Sequence, residues 1–217
     1  MPKSSLLDAC RFAVGVGLVA LVAHTWFLMG LVVPVTVAGS SMAPTLSGPR
    51  RLFRCAACQQ EFAVGLEQLD GDEFAACPGC GAWSRPSDAG VLRGDRLLVD
   101  RTAYTFHGPR RWEVIVFHSP EDGGQLCVKR VAGLPGETVS IAGGELRING
   151  KPVPNPHGIT YEVRAGDRLD SRDGWHLNRH EYFVLGDNAA ISDDSRSWAS
   201  GPGVDAKRLV GRPLGVR

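Results

Sequence analysis

Apolar residues are distributed along this chain in two distinct ways. From Phe12 to Pro34 they are nearly continuous, interrupted only by His24, Thr25 and a few small residues. Beyond Pro34 they fall into short runs separated by Gly, Pro, Asn and Asp. A continuous apolar stretch of this kind predicts one membrane-crossing helix, because about 20 such residues cover the hydrocarbon core. Pro34 is expected to end it. The short runs predict β-strands: Val35–Val37, the run within Arg96–Asp100, Trp112–Phe117, Gln125–Val131 and Glu181–Leu185. Between Val139 and Val153 the pattern predicts a hairpin, with turn signals at Gly143-Gly144 and Asn149-Gly150. Residues 154–178 are polar and irregular and predict a loop-rich excursion, and Val204–Val216 predicts a last short element closing the sheet. The expected class is mostly β with one N-terminal helix.

A removed signal peptide competes with a retained anchor for residues 12–34. Cutting after Ala20 or Ala23 would place Leu18 or Leu21 where a small residue is wanted, and cutting after Ala38 would leave Ser41 beside a new terminus. The retained anchor is the better reading. Lys3 and Arg11 precede the span and no basic residue follows until Arg50, so residues 1–11 are expected in the cytoplasm and the remainder outside it. The net charge of +1, without a basic stripe, gives no footing for a nucleic-acid partner. With 43% hydrophobic residues in 217 there is ample material for a core, and 27 glycines and 14 prolines suit a fold with many turns.

Two stretches bear on catalysis. Gly39-Ser40-Ser41-Met42-Ala43-Pro44-Thr45-Leu46 follows the apolar segment and holds a serine among small and kinked residues. Serine is a weak nucleophile without a base. Lys129, in Gln125-Leu126-Cys127-Val128-Lys129-Arg130-Val131, is the candidate. Strand alternation puts it on the face of Cys127 and Val131, with Arg130 on the other. An apolar face lowers a lysine pKa and frees the amine to take a proton. Taken singly, such a serine is commonly a turn residue and such a lysine a solvated edge residue.

A third kind of chemistry lies between them. Cys55-Ala56-Ala57-Cys58 and Cys77-Pro78-Gly79-Cys80-Gly81 supply two Cys-x-x-Cys pairs, the spacing of a tetrahedral zinc site. Two disulfides are the alternative, favoured by an oxidising compartment; the turn residues around the second pair favour zinc. The segment 50–86 resembles a zinc ribbon inserted after the serine-bearing segment 35–49, with the rest of the body in 87–217.

Taken together, Ser41-Met42-Ala43-Pro44-Thr45-Leu46, Lys129-Arg130-Val131 followed by Gly133-Leu134-Pro135-Gly136, and Gly186-Asp187-Asn188 through Ser192, Asp194 and Arg196 resemble the type I signal peptidase family, in the family's order. That resemblance implies a signal-peptidase-like β fold and a membrane serine endopeptidase that cleaves signal peptides from translocated preproteins. It also implies a Ser41–Lys129 dyad that needs no cofactor, Ser192 orienting Lys129, and Asp194 with Arg196 bracing the loop. The zinc, if bound, would be structural. The backbone N–H of Ser41 is the expected oxyanion donor. Gly39 stands where some members carry a serine, and Ala189 where members often carry an arginine. The implied setting is the plasma membrane, with the lipid bilayer and preproteins as partners and the secretion translocon as a further contact. Two other readings share parts of this pattern: a serine–lysine peptidase maturing a narrow set of exported proteins, and a non-enzymatic membrane-tethered zinc module.

Overall fold

A computed structural model describes residues 3–69, 74–121, 123–161 and 174–216. The chain opens with helix α1, Lys3–Leu31. Within it, the window Asp8–Thr25 is long and apolar enough to cross a membrane, and none of it is buried against the body. The helix ends before Pro34, because strand β1 (Val32–Thr36) is already paired along its whole length with a later strand, Arg96–Asp100. Pro34 therefore lies inside β1. It is tolerated there because β1 is the edge of its sheet, where a residue without an N–H leaves the ladder intact.

The strands that follow are β2 (Arg50–Arg54), β3 (Glu61–Gly65), β4 (Ala75–Ala76), β5 (Trp83–Ser84) and β6 (Pro86–Leu92). Next come β7 (Arg96–Asp100), β8 (Val114–His118), β9 (Leu126–Gly133), β10 (Thr138–Ala142), β11 (Glu145–Ile148) and β12 (Lys151–Pro152). Last are β13 (Trp175–His176), β14 (Glu181–Leu185), β15 (Gly203–Asp205) and β16 (Leu209–Pro213).

The main sheet is antiparallel, in the order β1-β7-β16-β8-β9-β14-β15. Its edge and centre differ as their sequences do. In β7, Leu97 and Val99 are buried while Arg96 and Leu98 are exposed, the alternation of a half-covered strand. In β8 both faces are covered: Val114 and Val116 join a cluster with Val37, Met42 and Leu46, and Ile115 and Phe117 join one with Val131, Val184 and Trp198. Hence Val-Ile-Val-Phe reads as a continuous apolar run. A smaller sheet, β12-β11-β10-β13, packs Val139, Leu146 and Ile148 against Ala132, Phe183 and Leu185 of the main sheet. Its turns are those the sequence predicts: Gly143 and Gly144 take φ of 59° and 81°, and Asn149 and Gly150 take 50° and 78°. Of the expected excursion 154–178, residues 162–173 lie outside the described residues.

The tail does more than close the sheet, since β16 is inserted between β7 and β8. The cysteine-bearing insertion has a three-stranded sheet, β3-β2-β6, and a two-stranded one, β4-β5. Pro86–Leu92 pairs with Arg50–Arg54, so the sheet beside the first cysteine pair includes residues up to Leu92.

Candidate functional site

The serine loop is pinned at its base and plugged into the core at its tip. Asp95 fastens the base: its carbonyl accepts from Val37 N at 2.9 Å, its N–H donates to Ser47 O at 2.9 Å, and its carboxylate accepts from Ser47 N at 2.8 Å. Gly48 N donates to Gly39 O at 3.0 Å, and a Cβ at Gly48 would come within 2.5 Å of Ala38 O, so only glycine fits where the loop's ends cross. Met42 and Leu46 are buried among Val99, Val114 and Val116. These anchors fix Ser41 between them, half-buried. Gly39 borders open space, since a Cβ there would meet nothing within 4 Å.

Lys129 sits in β9, flanked by β8 and β14, and is 4% exposed. Its Nζ donates to Ser192 Oγ at 3.0 Å. Burial pushes its pKa below the usual lysine value; the charges of Asp194, Cys127 and Asp193 pull the other way, and that of Arg196 adds to the lowering.

The loop after β14 joins these two segments. A Cβ at Gly186 would lie 2.1 Å from Ser192 Oγ and 2.4 Å from Ser41 O, so both close in on this one glycine. Asn188 N donates to Ser41 O at 3.0 Å and Asn188 Nδ2 to Ser40 O at 3.3 Å. Ser41, Ser192 and Lys129 are thus brought to one corner of the sheet. Among the described residues no hydrogen bond joins Ser41 Oγ to Lys129 Nζ.

Two buried ion pairs hold this corner. Asp194 receives Arg196 Nε at 2.8 Å and Nη2 at 2.9 Å, and its Oδ2 also accepts from Gly186 N at 3.0 Å. Arg196 Nη2 reaches Ala189 O at 3.1 Å, so the backbone of residue 189 enters the brace although its side chain is a methyl. The second pair was not singled out from the sequence. Arg130 donates Nε to Asp187 Oδ1 at 2.7 Å and Nη2 to Oδ2 at 2.6 Å, with both side chains 0% exposed. Thr45 Oγ1 donates to the same carboxylate at 2.5 Å, tying the serine loop to the pair. One charge lies inside an apolar strand and the other just beyond the end of another, and buried charges require partners; that is the available signal.

A hollow of about 390 Å³ lies elsewhere, lined by residues including Leu146, Val153, Ile159 and Tyr161. It contains neither the serine loop nor the buried lysine.

The four cysteines form a second centre. Their sulfurs all lie within 4.8 Å of one another, with Cys55–Cys80 at 3.5 Å and Cys58–Cys77 at 3.6 Å. Four sulfurs around a zinc at 2.3 Å would stand roughly 3.8 Å apart. The two halves repeat one geometry: Gln59 N bonds Cys55 O at 2.9 Å and Gly81 N bonds Cys77 O at 2.8 Å, with Gln59 and Gly81 both at positive φ. The backbone amide of Cys58 favours the Cys55 thiolate and lowers its pKa to about 6. The Ala82 amide acts likewise on Cys80, yet the neighbouring sulfurs push that thiol up to about 12. Four thiolates this close repel one another, and a cation among them would relieve that repulsion. The cluster can hold a metal ion.

Comparison with known proteins places the chain among peptidases, and then more narrowly. The family model described as signal peptidase, peptidase S26, matches residues 83–214. The chain belongs to that family. The matched span contains Lys129, Asp187, Ser192, Asp194 and Arg196, while Ser41 and the four cysteines precede it. "Probable signal peptidase I-1" of Synechocystis sp. is 35% identical over 139 residues, which cover 59% of this chain and 66% of that protein. Signal peptidase I of Leptolyngbya laminosa is 35% identical over 128 residues, covering 55% of this chain and 58% of that protein. The chain thus spans less than two thirds of the length of either relative. A crystal structure of a signal peptidase I from Enterococcus faecalis, 31% identical, covers 48% of this chain and 96% of its own, with a TM-score of 0.39.

Proposed function

We propose that this chain is a membrane-anchored serine endopeptidase that removes signal peptides from translocated preproteins, with Ser41 as nucleophile and Lys129 as general base. The observation that carries the reading is the buried Lys129–Ser192 hydrogen bond, 3.0 Å long, at the corner where the pinned serine loop docks. Burial lowers the amine's pKa and so favours the neutral form that can accept a proton. Ser192 takes one N–H of that amine, which leaves its lone pair free to turn toward Ser41. Lys129 removes the Ser41 Oγ proton as the oxygen attacks the scissile carbonyl, and the Ser41 N–H receives the developing oxyanion. Gly39, which borders open space, supplies a second donor from its backbone. The protonated lysine then gives its proton to the leaving amine, and the neutral base activates the water that releases the acyl group. Asp194 and Arg196, with Arg130 and Asp187, hold the loops that carry these groups.

The substrate class follows from membership of the signal peptidase family together with the helix that runs directly into β1. Arg101 N bonds Leu31 O at 2.8 Å, so the body begins where the apolar helix stops. A preprotein held in the bilayer by its own apolar segment would present its cleavage site at that height. Lys3 and Arg11 orient the N-terminus toward the cytoplasm. The four cysteines would hold one structural zinc, saturated by protein ligands, which supplies folding energy to the insertion and no step of the reaction. The test is cleavage of a model preprotein in detergent, with the product identified by mass. Wild type should release the mature protein and Ser41→Ala should not; equal cleavage by both would sink the reading.

A further inference from the structure

The cysteine-bearing insertion reaches back onto the serine loop. Leu66 N donates to Pro49 O at 2.9 Å, and the 3-10 turn Leu66–Gln68 then aims Glu67 at the loop. Glu67 Oε1 accepts the backbone N–H of Ser40, the residue before Ser41, at 2.7 Å. Gly65 makes the approach feasible, because a Cβ there would stand 2.2 Å from Ser40 Oγ and 2.6 Å from Glu67 Oε1. The carbonyl of Ser40 is held as well, by Ala43 N at 3.0 Å and Asn188 Nδ2 at 3.3 Å. Both polar groups of Ser40's backbone are therefore tied, one to the insertion and one to the body.

We infer that Glu67 is a positioning residue for Ser41, which makes the insertion part of the active-site framework. The inference rests on the reading of Ser41 as nucleophile. In a planar trans peptide the Ser41 N–H points opposite to the Ser40 C=O. Holding that carbonyl sets the line of the Ser41 N–H, and holding the Ser40 N–H fixes the dihedrals that carry it. The N–H that Glu67 occupies is not the one that receives the oxyanion, so the carboxylate orients the donor without competing for it. β2 and β3 pair from Arg50↔Gly65 to Arg54↔Glu61, so one hairpin bears Glu67 beyond one end and Cys55 and Cys58 at the other. The strut is thus continuous with the cysteine cluster.

The test uses the full chain in detergent and a short peptide substrate. Glu67→Ala should lower kcat on the order of tenfold, since misplacing a catalytic group by about 1 Å can cost up to a hundredfold. KM should change little, and Glu67→Gln, which keeps an acceptor oxygen, should recover most of the rate. Hydrogen exchange should quicken at residues 38–47 in Glu67→Ala. Wild-type kcat and exchange in Glu67→Ala, or a Glu67→Gln as slow as Glu67→Ala, overturns the inference. Ser41→Ala is run alongside. Residual cleavage there overturns the nucleophile and this inference with it, whereas a dead Ser41→Ala beside a fully active Glu67→Ala overturns the inference alone.

Discussion

Replacing Asp187 with alanine tests whether the corner is held as described. The carboxylate accepts Arg130 Nε at 2.7 Å, Arg130 Nη2 at 2.6 Å and Thr45 Oγ1 at 2.5 Å, with no solvent access to either charge. Its loss leaves the guanidinium, among the described residues, only the Trp112 carbonyl, 2.7 Å from Nη1. Removing one partner of a buried pair costs about 3–5 kcal/mol, because the other charge stays desolvated. In a protein of this size each kcal/mol moves Tm by about 2–4 °C, so a fall of about 6–20 °C is expected. Arg212→Ala serves as the control: it breaks a pair at 3.8 Å whose arginine is 45% exposed, and should cost about 1 kcal/mol or less. Near-UV circular dichroism during heating in detergent follows the packing of the body's buried aromatics, Phe117, Phe183 and Trp198 among them. Well below the transition, Asp187→Ala should also cleave more slowly, because Thr45 no longer tethers the serine loop. The double replacement Arg130→Met with Asp187→Leu should regain part of the stability, since it removes the orphaned charge. A Tm within about 2 °C of wild type for Asp187→Ala would refute the buried pair.

Other outcomes concern the base, its neighbouring charge and the cysteines. The kcat/KM for a short peptide should rise with pH through an apparent pKa below 10.5, the usual lysine value, because only neutral Lys129 accepts a proton. Lys129→Arg, fixed in its charged form, should lose on the order of 10²- to 10⁴-fold in rate; near-normal activity would refute the base. The folded chain binds fewer protons at Lys129 than the unfolded chain between the lowered pKa and about 10.4, so stability rises with pH across that window, and Lys129→Met should remove this dependence in denaturant titrations. The Asp194 charge holds the lysine pKa up, so Asp194→Asn should move the rising limb of the pH–rate profile to lower pH. Finally, protein purified without chelators should carry one zinc per chain by elemental analysis, and Cys77→Ser should lose it; two disulfides and no zinc would refute the metal centre.

Much of the scaffold was legible because local chemistry and burial agree there. The run Val114–Phe117 is apolar on both faces because both faces are covered, and Gly143-Gly144 and Asn149-Gly150 turn where only such residues turn cheaply. The two cysteine turns were equally plain, since their spacing is itself the geometry. Features set by distant pairing were not legible. Nothing in Leu209–Pro213 says that it separates β7 from β8, and Pro86–Leu92 lacks the alternation that would reveal its partnership with β2. The helix stops short of Pro34 because β7 recruits Val32 and Val33, a tertiary effect that outweighs the local breaker. At the site, Ser41, Lys129 and the loop from Ser192 to Arg196 were picked out by residue type and by resemblance. Arg130, Asp187 and Glu67 were not, because their roles exist only once separate segments meet.

Trapping the covalent intermediate tests whether Ser41 is the nucleophile. The full chain is mixed with a preprotein or peptide ester, quenched in acid within the first turnover, digested and analysed by mass. The reading predicts an acyl ester on the peptide that contains Ser41, absent in Lys129→Arg. An acyl group found instead on Ser192 or on a cysteine, or turnover with no protein-bound acyl species at any time, would contradict it.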